Sequence, residues 1–434
     1  MKKLYFLPLF FFFLTAFAAE KPILKIVVTT DIHAQWESLE KIYGFMAQKN
    51  PDVVLFAGDL ARYVGDEKSY KKYIGIYRKH FSKCTPEPVH IPITGNHDYW
   101  EYKGVKRLSP QDSLKRFFHP MGMKADWLQH HVVKGYTFIG VSATDEKGEN
   151  NHTSEEIKQV SDLIDKAEKK APGKPVFVLT HCPPAFTMAG SAWHDNPKKV
   201  WNWRYDHIRK MLAGHKQVVS LSGHTHLPLE DERSIWQGEF TAVNVGGLYK
   251  YSLQVPGEVK EEYIKTPSHY QYRRAFCYIE VFRKHMVIYR YKADTLEEIN
   301  PENRWRIELP YDPAKAVYTM KRAEKIKPPE FRKGATAAIE KTSENSYGVT
   351  LDSAWHPDFV HAYKVKLIYD DRKLKPQEFY IASNFFYGQK TLRPFLPFPK
   401  NIKLVPGARG SMEITPFETF GNAGKGLIVK FQIP

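Results

Sequence analysis

Cysteine is nearly absent from this chain, which has three cysteines among 434 residues. Cys84, Cys182 and Cys277 allow at most one internal disulfide, so the sequence excludes the small secreted domains that depend on several disulfides. Internal repeats and low-complexity tracts are also absent, which excludes solenoids and fibrous proteins. The fold must therefore be stabilised by a hydrophobic core. A chain of this length with 42% hydrophobic residues can form two such cores, at least one of them large.

Long hydrophobic runs are missing after residue 18, so we expect no transmembrane segment in the mature protein. The N-terminal stretch MKKLYFLPLFFFFLTAFAAEKP has Lys2 and Lys3, then an apolar run, and then small residues around Ala18. This pattern is typical of a secretory signal peptide, and the run is short for the alternative, a membrane anchor. We predict a signal peptide over residues 1–18 and a secreted or periplasmic protein.

Acidic residues are fewer than basic ones, with 48 Asp and Glu against 64 Lys and Arg. Residues 1–18 hold two lysines and no acid, so the mature chain has a net charge of 62 minus 48, or +14. A basic chain favours anionic partners such as phosphates or an acidic envelope, although scattered surface charges explain most basic proteins. We therefore expect an anionic partner, and no specific nucleic-acid binding.

Short apolar runs alternate with amphipathic stretches in the first 310 residues, which predicts an α/β layer fold. Helical spacing appears twice, over Trp36, Leu39, Tyr43 and Met46 and again over 157–167. The predicted strands are ILKIVVTT, DVVLFAG, PVHIPIT, TFIGVSA, PVFVLT, QVVSLSG and FTAVNVGG.

The character of the chain changes near Pro310. The stretch KRAEKIKPPEFRKG is typical of a linker, and the strand-like runs YKVKLIY, EFYIAS, GSMEIT and GLIVKFQIP follow it. We predict an α/β domain over 19–310, a linker over 311–340 and a small all-β domain over 341–434. Its end resembles the last hairpin of fibronectin type III or immunoglobulin-like modules, which implies an accessory β-sandwich that packs on the first domain or recognises a partner or surface polymer.

Polar side chains follow the predicted strands where each strand ends, which is where open α/β sheets place their ligands. They supply nitrogen and oxygen donors and need no thiolate, a set that suits transition-metal ions. So many donors fit two ions better than one, and a neutral amide at Asn96 keeps the site cationic enough for a phosphate. The motifs are TTDIHA with Asp31 and His33, AGD with Asp59, GNHD with Asn96, His97 and Asp98, LTHC with His181, and SGHTH with His224 and His226.

In this order, the motifs D-x-H, G-D, G-N-H-D, H and G-H-x-H resemble the calcineurin-like metallophosphoesterase superfamily over roughly residues 22–300. The resemblance implies a four-layer α/β/β/α sandwich that holds two divalent or trivalent transition-metal ions, Mn, Fe or Zn. It implies that Asp59 bridges the two ions. The implied ligands are Asp31, His33, Asp59 and His226 for one ion, and Asp59, Asn96, His181 and His224 for the other.

The resemblance also implies a reaction, hydrolysis of a phosphodiester or phosphomonoester by attack of a hydroxide that bridges the ions. His97 is not a ligand in the family; it faces the substrate and acts as the acid for the departing oxygen. We expect Asp98 to accept a hydrogen bond from the His97 imidazole and so to orient it.

With this reaction we expect a phosphorylated small-molecule or envelope-derived substrate, but the identity of the substrate stays open. Purple acid phosphatases have a tyrosine where this chain has Arg62 and lack the His33 equivalent, which disfavours that branch. Secreted 5′-nucleotidases have a larger C-terminal domain, and the class III cyclic nucleotide phosphodiesterases share the full motif set. Nearby residues that are candidates for substrate contact are Arg62, Tyr99, Trp100, Trp193, His194, Arg204, Tyr249 and Lys250.

Two other classes of function remain as alternatives. One is a metal-binding or phosphate-binding protein that has lost catalysis, although every expected ligand and His97 are present. The other is an adhesion or envelope-binding protein in which the C-terminal β domain is the functional part.

Overall fold

The computed structural model describes most of the chain after the predicted signal peptide, which itself lies outside the described residues together with Arg62, Trp193, His194 and Arg204. No helix in the described residues has the length and apolar character needed to cross a membrane. The described residues are 20–61, 66–100, 108–146, 148, 152–191, 206–257, 263–265, 274–342, 346–389 and 391–434.

Twelve strands and five helices are described in the first 310 residues. The strands are β1 (Leu24–Thr29), β2 (Val53–Ala57), β3 (Val89–Ile93), β4 (Leu128–Val133), β5 (Tyr136–Val141), β6 (Val176–Thr180), β7 (Val218–Ser222), β8 (Ile235–Gln237), β9 (Thr241–Asn244), β10 (Ala275–Val281), β11 (His285–Lys292) and β12 (Trp305–Glu308). The helices are α1 (Trp36–Ala47), α2 (Glu67–Phe81), α3 (Pro110–Phe118), α4 (Ser154–Lys170) and α5 (Asp206–Leu212).

The strands form two six-stranded sheets, in the orders β12-β11-β10-β1-β2-β3 and β4-β5-β6-β7-β9-β8. In the first sheet β1, β2 and β3 are parallel, and β10 pairs antiparallel with β1 on the other side. In the second sheet β5, β6, β7 and β9 are parallel. The parallel strands are almost wholly buried, as expected for strands covered on both faces, and all seven predicted strands are confirmed.

The two sheets pack face to face with helices outside, so the predicted four-layer arrangement is confirmed. Ile26 and Leu55 of the first sheet share one apolar cluster with Phe177 and Leu221 of the second. The other face of the first sheet packs on α1, α2 and α3, and the other face of the second sheet packs on α4 and α5. The predicted helical stripes become the buried faces: Leu39, Tyr43 and Met46 of α1, and Val160, Ile164 and Ala167 of α4.

The C-terminal β domain is a sandwich of two antiparallel sheets, in the orders β13-β14-β17 and β16-β15-β18-β19. Val349, Leu367, Leu396 and Ile414 from both sheets meet in its own apolar core. A small β domain after the α/β fold is therefore confirmed. Its strands are β13 (Ala337–Lys341), β14 (Tyr347–Leu351), β15 (Ala362–Tyr369), β16 (Gln377–Ala382), β17 (Phe395–Pro397), β18 (Arg409–Phe417) and β19 (Leu427–Gln432).

The segment between the two folds lies against the second sheet in its first part. The Tyr311 hydroxyl donates a hydrogen bond to the Gly238 carbonyl at 2.7 Å, and Arg322 Nη2 donates to the Ile235 carbonyl at 2.9 Å. The domain boundaries remain a prediction. The three cysteines all lie in described residues, and none of them is in a disulfide.

Candidate metal centre

The side chains that the motifs single out meet at one edge of the two packed sheets. Each one follows the carboxyl end of a strand, and because the parallel strands of both sheets end at this edge, residues far apart in sequence become neighbours. Asp31 and His33 follow β1, Asp59 follows β2, Asn96, His97 and Asp98 form a short 3-10 turn after β3, His181 follows β6, and His224 and His226 follow β7.

One group of donor atoms lies around Asp31. His226 Nε2 is 2.9 Å from Asp31 Oδ1, and His33 Nε2 is 3.7 Å from the same oxygen and 3.3 Å from His226 Nε2. Asp59 Oδ2 lies 3.6 Å from His33 Nε2. One oxygen from each of two carboxylates and Nε2 from each of two imidazoles therefore surround one small volume.

A second group lies on the other side of Asp59. His181 Nε2 is 3.2 Å from Asp59 Oδ2 and 3.0 Å from Asn96 Oδ1. His224 Nδ1 is 3.0 Å from the same amide oxygen and 3.3 Å from His181 Nε2. The Asp59 carboxylate therefore lies between the two groups.

The spacing of these atoms fits metal ions. Donors that lie about 2.0–2.2 Å from a transition-metal ion are about 3.0–3.6 Å from one another in tetrahedral or octahedral geometry. The separations here fall in or close to that range. Asp31 Oδ1 is also buried without a well-formed hydrogen bond, although His226 Nε2 is 2.9 Å away, as expected of two atoms that both point at an ion. The residues present fit two bound ions.

Backbone carbonyls set the orientation of three imidazoles. In each case Nδ1 donates a hydrogen bond to a carbonyl, which orients the ring and directs Nε2 toward the cluster, where an ion would replace any proton on it. The pairs are His33 with Ala61 at 3.1 Å, His181 with Ala57 at 2.7 Å, and His226 with Lys250 at 2.9 Å. Sequence reasoning missed these partners because a backbone carbonyl has no residue-type signal.

Five of these residues have a left-handed backbone. Their φ angles are 48° at Asp31, 43° at His33, 61° at Asp59, 67° at His224 and 53° at His226. This region is costly for most side chains and is tolerated best by Gly, Asn, Asp and His. Unfavourable backbone concentrated at one place is typical of a functional site.

Gly95 allows the turns after β2 and β3 to pack against each other. A Cβ atom at this position would lie 2.3 Å from Asp59 Oδ1 and 2.8 Å from the His181 ring. Only glycine leaves room for the shared carboxylate at this point.

His97 lies at the edge of the cluster and is about one-fifth exposed. Its ring is 4.6 Å from the His33 ring and 3.9 Å from the Trp100 ring between centroids, and its Nε2 is 3.9 Å from Asp59 Oδ2. Burial lowers the pKa of His97 to about 4, against the opposing effect of the Asp59 charge. His97 is therefore a neutral imidazole that faces the volume between the two donor groups and the solvent.

The prediction that Asp98 orients the His97 ring is wrong. Asp98 Oδ2 accepts hydrogen bonds from the backbone N–H groups of Gly95 and Asp59, at 2.8 and 3.1 Å, and Oδ1 accepts one from the Tyr70 hydroxyl at 3.2 Å. His97 Nδ1 is buried and has no hydrogen-bond partner among the described residues. Asp98 therefore holds the backbone of Asp59, and its effect on the site passes through that residue.

The carboxylates and imidazoles of the cluster shift one another's pKa. Burial disfavours the charged form of Asp59, yet the surrounding histidines, His181 first, hold its pKa well below the usual range. Burial also opposes charge on His181, but the Asp59 and Asp31 carboxylates raise the pKa of His181 to about 9. The anionic oxygens therefore attract positive charge, which a proton supplies at His181 and a metal ion would replace.

The remaining candidates for substrate contact divide by burial. Tyr99 is fully buried and its hydroxyl donates to the Ala143 carbonyl at 2.6 Å, so it belongs to the scaffold. Tyr249 is half-buried, with its ring 4.7 Å from the His33 ring, and Lys250 is exposed beside it. Trp100 is also half-buried, against His97.

Comparison with known proteins places the cluster within a family. Residues 24–228 match the family described as calcineurin-like phosphoesterase. No curated protein matches the chain. Similar solved structures include GAP50, described as the anchor in the inner membrane complex of Plasmodium, at 10% identity over 67% of this chain and 92% of that chain with a TM-score of 0.44.

Two further solved structures are similar. The purple acid phosphatase PPD1 from yellow lupin seeds is 11% identical, with 66% of this chain and 53% of that chain covered and a TM-score of 0.42. The phosphoesterase YfcE from E. coli is 12% identical, with 65% of this chain and 98% of that chain covered and a TM-score of 0.29.

Proposed function

Residues 24–228 of this chain form a calcineurin-like phosphoesterase domain, and from this premise we propose that the chain is a secreted dinuclear-metal phosphoesterase. The observation that carries the proposal is the position of Asp59. Its Oδ2 atom lies 3.6 Å from His33 Nε2 in one donor group and 3.2 Å from His181 Nε2 in the other. A carboxylate shared in this way supports a pair of ions, the arrangement that enzymes use to displace an oxygen leaving group at phosphorus.

The proposed ligands follow the two donor groups, and the ions are Mn, Fe or Zn. When bound, the ions would supply a water of lowered pKa and positive charge opposite the phosphoryl oxygens. One ion would be held by Asp31, His33, Asp59 and His226, and the other by Asp59, Asn96, His181 and His224.

His97 is the proposed acid. Its ring lies beside the cluster and is partly open to solvent, so a phosphate held over Asp59 would meet its N–H. The negative charge of a bound phosphate favours the imidazolium form of His97, which would donate its proton to the leaving oxygen as the P–O bond breaks and return to the neutral imidazole. Asp98 contributes by holding the backbone N–H of Asp59 at 3.1 Å.

The proposed substrate is a phosphorylated small molecule or an envelope-derived phosphoester, which the net positive charge of the chain supports. The proposed location is secreted or periplasmic, and the N-terminal pattern of two lysines, an apolar run and small residues supports it. N-terminal sequencing of the exported protein tests this part, with a new terminus near residue 19 expected.

Metal analysis combined with hydrolysis of bis-p-nitrophenyl phosphate and p-nitrophenyl phosphate tests the proposal. We expect two ions per chain, hydrolysis of at least one ester, and loss of activity on chelation with recovery on adding back Mn, Fe or Zn. A purified chain that takes up no transition-metal ion would overturn the proposal, and so would one that binds two ions and hydrolyses neither ester.

His97→Ala separates the acid from the ligands. Because His97 is at the edge of the cluster and is not a proposed ligand, we expect this variant to keep both ions and to lose about 10²–10⁴-fold in kcat. His130→Ala, which removes an exposed histidine from β4, is the matched control and should change neither quantity. Full activity in His97→Ala would remove His97 from its proposed role.

A further inference from the structure

One loop connects the candidate metal centre to the C-terminal β domain. This loop, residues 248–257, begins at the cluster: the Leu248 N–H donates to the Asp31 carbonyl at 3.1 Å. His226 then makes two contacts with it, because His226 Nδ1 donates to the Lys250 carbonyl at 2.9 Å and the His226 carbonyl accepts from the Ser252 N–H at 2.8 Å. The first half of the loop therefore sets how His226 is held.

The second half of the loop rests on the β domain. His361, the residue before β15, donates from Nε2 to the Gln254 carbonyl at 2.8 Å. The Gly257 N–H donates to the Thr419 carbonyl at 3.1 Å. Leu253 and Val255 of the loop also share an apolar cluster with Phe359, Ala362 and Phe386 of the β domain.

A buried arginine holds the same half from the other side. Arg233 Nη1 donates to the Val255 carbonyl at 2.8 Å and to the Gly257 carbonyl at 3.2 Å. Arg233 is itself fixed by Asp231 through two hydrogen bonds, Nε at 3.0 Å and Nη2 at 2.7 Å. The backbone carbonyls of residues 254, 255 and 257 therefore each accept a hydrogen bond from a side chain, and the side chain that the β domain supplies is His361.

His361 is suited to this task because it is fully buried and uncharged. Burial lowers the pKa of His361 to about 4, so near neutral pH the imidazole carries one N–H, and that N–H is on Nε2, facing a carbonyl that only accepts. A buried carbonyl that lost this donor would be left unpaired, which strongly disfavours the present path of the loop.

We propose that the C-terminal β domain is a positioning element of the metal centre: His361 holds the 248–257 loop, and the loop in turn holds His226 through the Lys250 carbonyl. The inference rests on the proposed function, and it names a task for the β domain within that function. The same loop carries Tyr249, whose ring lies 4.7 Å from the ring of His33, so the path of the loop also sets this contact.

The test compares four variants of the full chain. His361→Ala removes the donor, and His361→Asn places an amide too close to the main chain to reach Gln254. His361→Gln places an amide nitrogen near the position of Nε2 and is the rescue variant. Val349→Ala is the matched control, because Val349 is buried in the β domain's own core on β14 and does not belong to the cluster that includes the loop.

Hydrogen exchange of the metal-free protein gives the first readout. We expect amides of the 248–257 loop to exchange at least tenfold faster in His361→Ala and His361→Asn, and near the wild-type rate in His361→Gln and Val349→Ala. Metal titration gives the second readout. Loss of the partner of a ligating histidine typically weakens an ion by about 10–100-fold, so one of the two ions should bind that much more weakly in His361→Asn.

The outcomes separate this inference from the proposed function. Unchanged loop exchange and unchanged metal affinity in His361→Ala and His361→Asn would overturn the inference, even if the enzyme hydrolyses phosphoesters. Equal effects in Val349→Ala would also overturn it, because they would show general destabilisation of the β domain. A chain whose loop exchange follows the expected pattern, but which hydrolyses no phosphoester, would leave the positioning contact standing and overturn the proposed function.

Discussion

At the scale of single residues, two carboxylates of the centre each have one oxygen held by a backbone N–H group, which directs the other oxygen at the donor groups. Asp59 Oδ1 accepts a hydrogen bond from the backbone N–H of His97 at 2.8 Å, which turns Oδ2 toward the two donor groups. Asp31 Oδ2 accepts a hydrogen bond from the backbone N–H of His224 at 2.8 Å, which turns Oδ1 toward His226. The inward-facing atoms are therefore set by backbone contacts of the folded chain.

The contact between Trp100 and His97 leads to a prediction about the proposed acid. Because burial is the main reason that the pKa of His97 is low, Trp100→Ala should expose the ring and raise this pKa from about 4 toward 6.5. NMR titration of the imidazole in the metal-free protein measures the shift. Trp355→Ala, which removes an exposed indole from the β domain, is the control, and an unchanged His97 pKa in Trp100→Ala would contradict the prediction.

The motifs predicted which residues meet, but they did not predict every role. Asp31, His33 and Asp59 could be placed together because each follows an apolar run whose carboxyl end has a known place in such sheets. The role of Asp98 could not be predicted, because it depends on the backbone N–H of Asp59, which only the tertiary fold brings within 3.1 Å of the Asp98 carboxylate. The same holds for the Lys250 carbonyl.

At the scale of elements, the sequence predicted the parallel strands of the first 310 residues well and the antiparallel strands of the same region poorly, whereas the antiparallel strands β15, β16, β18 and β19 of the β domain were predicted. The runs behind β1, β2 and β6 are short, apolar and bounded by polar motifs, so they are easily recognised. β11 alternates between buried and half-buried residues, and its place in the first sheet depends on β10, which pairs with β1 some 250 positions earlier in the chain. Pairing over that distance has no local signal.

The close packing of the turns after β2 and β3 gives a prediction at this scale. In Gly95→Ala the new Cβ would collide with Asp59 Oδ1, so the shared carboxylate must move, and we expect weaker metal binding and a loss of about 10²-fold in kcat/KM. Gly75→Ala is the control, because Gly75 is exposed on α2 with no atom within 4 Å of its new Cβ.

The control should raise the free energy of unfolding by about 0.5–1 kcal/mol, because alanine is the better helix former, and should leave kcat/KM unchanged. Metal titration, steady-state kinetics and urea unfolding check both variants. Wild-type metal affinity in Gly95→Ala would show that the turn can yield without moving Asp59.

At the scale of the whole molecule, the two folds are joined through polar contacts, buried or partly buried, as well as through apolar ones. His361 of the β domain meets the 248–257 loop, and Asn422 Nδ2 donates to the Ala323 carbonyl at 2.9 Å in the connecting segment. Buried polar contacts demand defined partners, so they favour one relative arrangement of the two folds over others.

This interface predicts a loss of stability in acid. The pKa of His361 is about 4 in the folded chain, against an ordinary value of 6.5, so between these pH values the unfolded chain binds a proton that the folded chain does not. The free energy of unfolding should therefore fall as the pH is lowered from 6.5 to 4, by about 3 kcal/mol from this residue. Well above pH 7, where His361 is neutral in both states, it contributes no pH dependence.

Urea unfolding at several pH values, with wild type and His361→Gln compared, measures this contribution. Glutamine does not titrate, so the drop between pH 6.5 and 4 should be smaller in the variant than in the wild type. An equal fall in the free energy of unfolding between pH 6.5 and 4 in the two proteins would contradict the prediction that His361 contributes to acid unfolding.

The left-handed backbone at five of the candidate ligands has a consequence for protein engineering. Replacing Asp31 or His226 with glutamate, threonine or cysteine, in order to bind a different metal, would impose a conformational cost in addition to the change in ligand chemistry. Those side chains fit a left-handed backbone poorly. Asn96 and His181 have ordinary φ angles. Directed evolution of metal preference should therefore find its tolerated replacements at these two positions first, on the side of the centre that His224 completes.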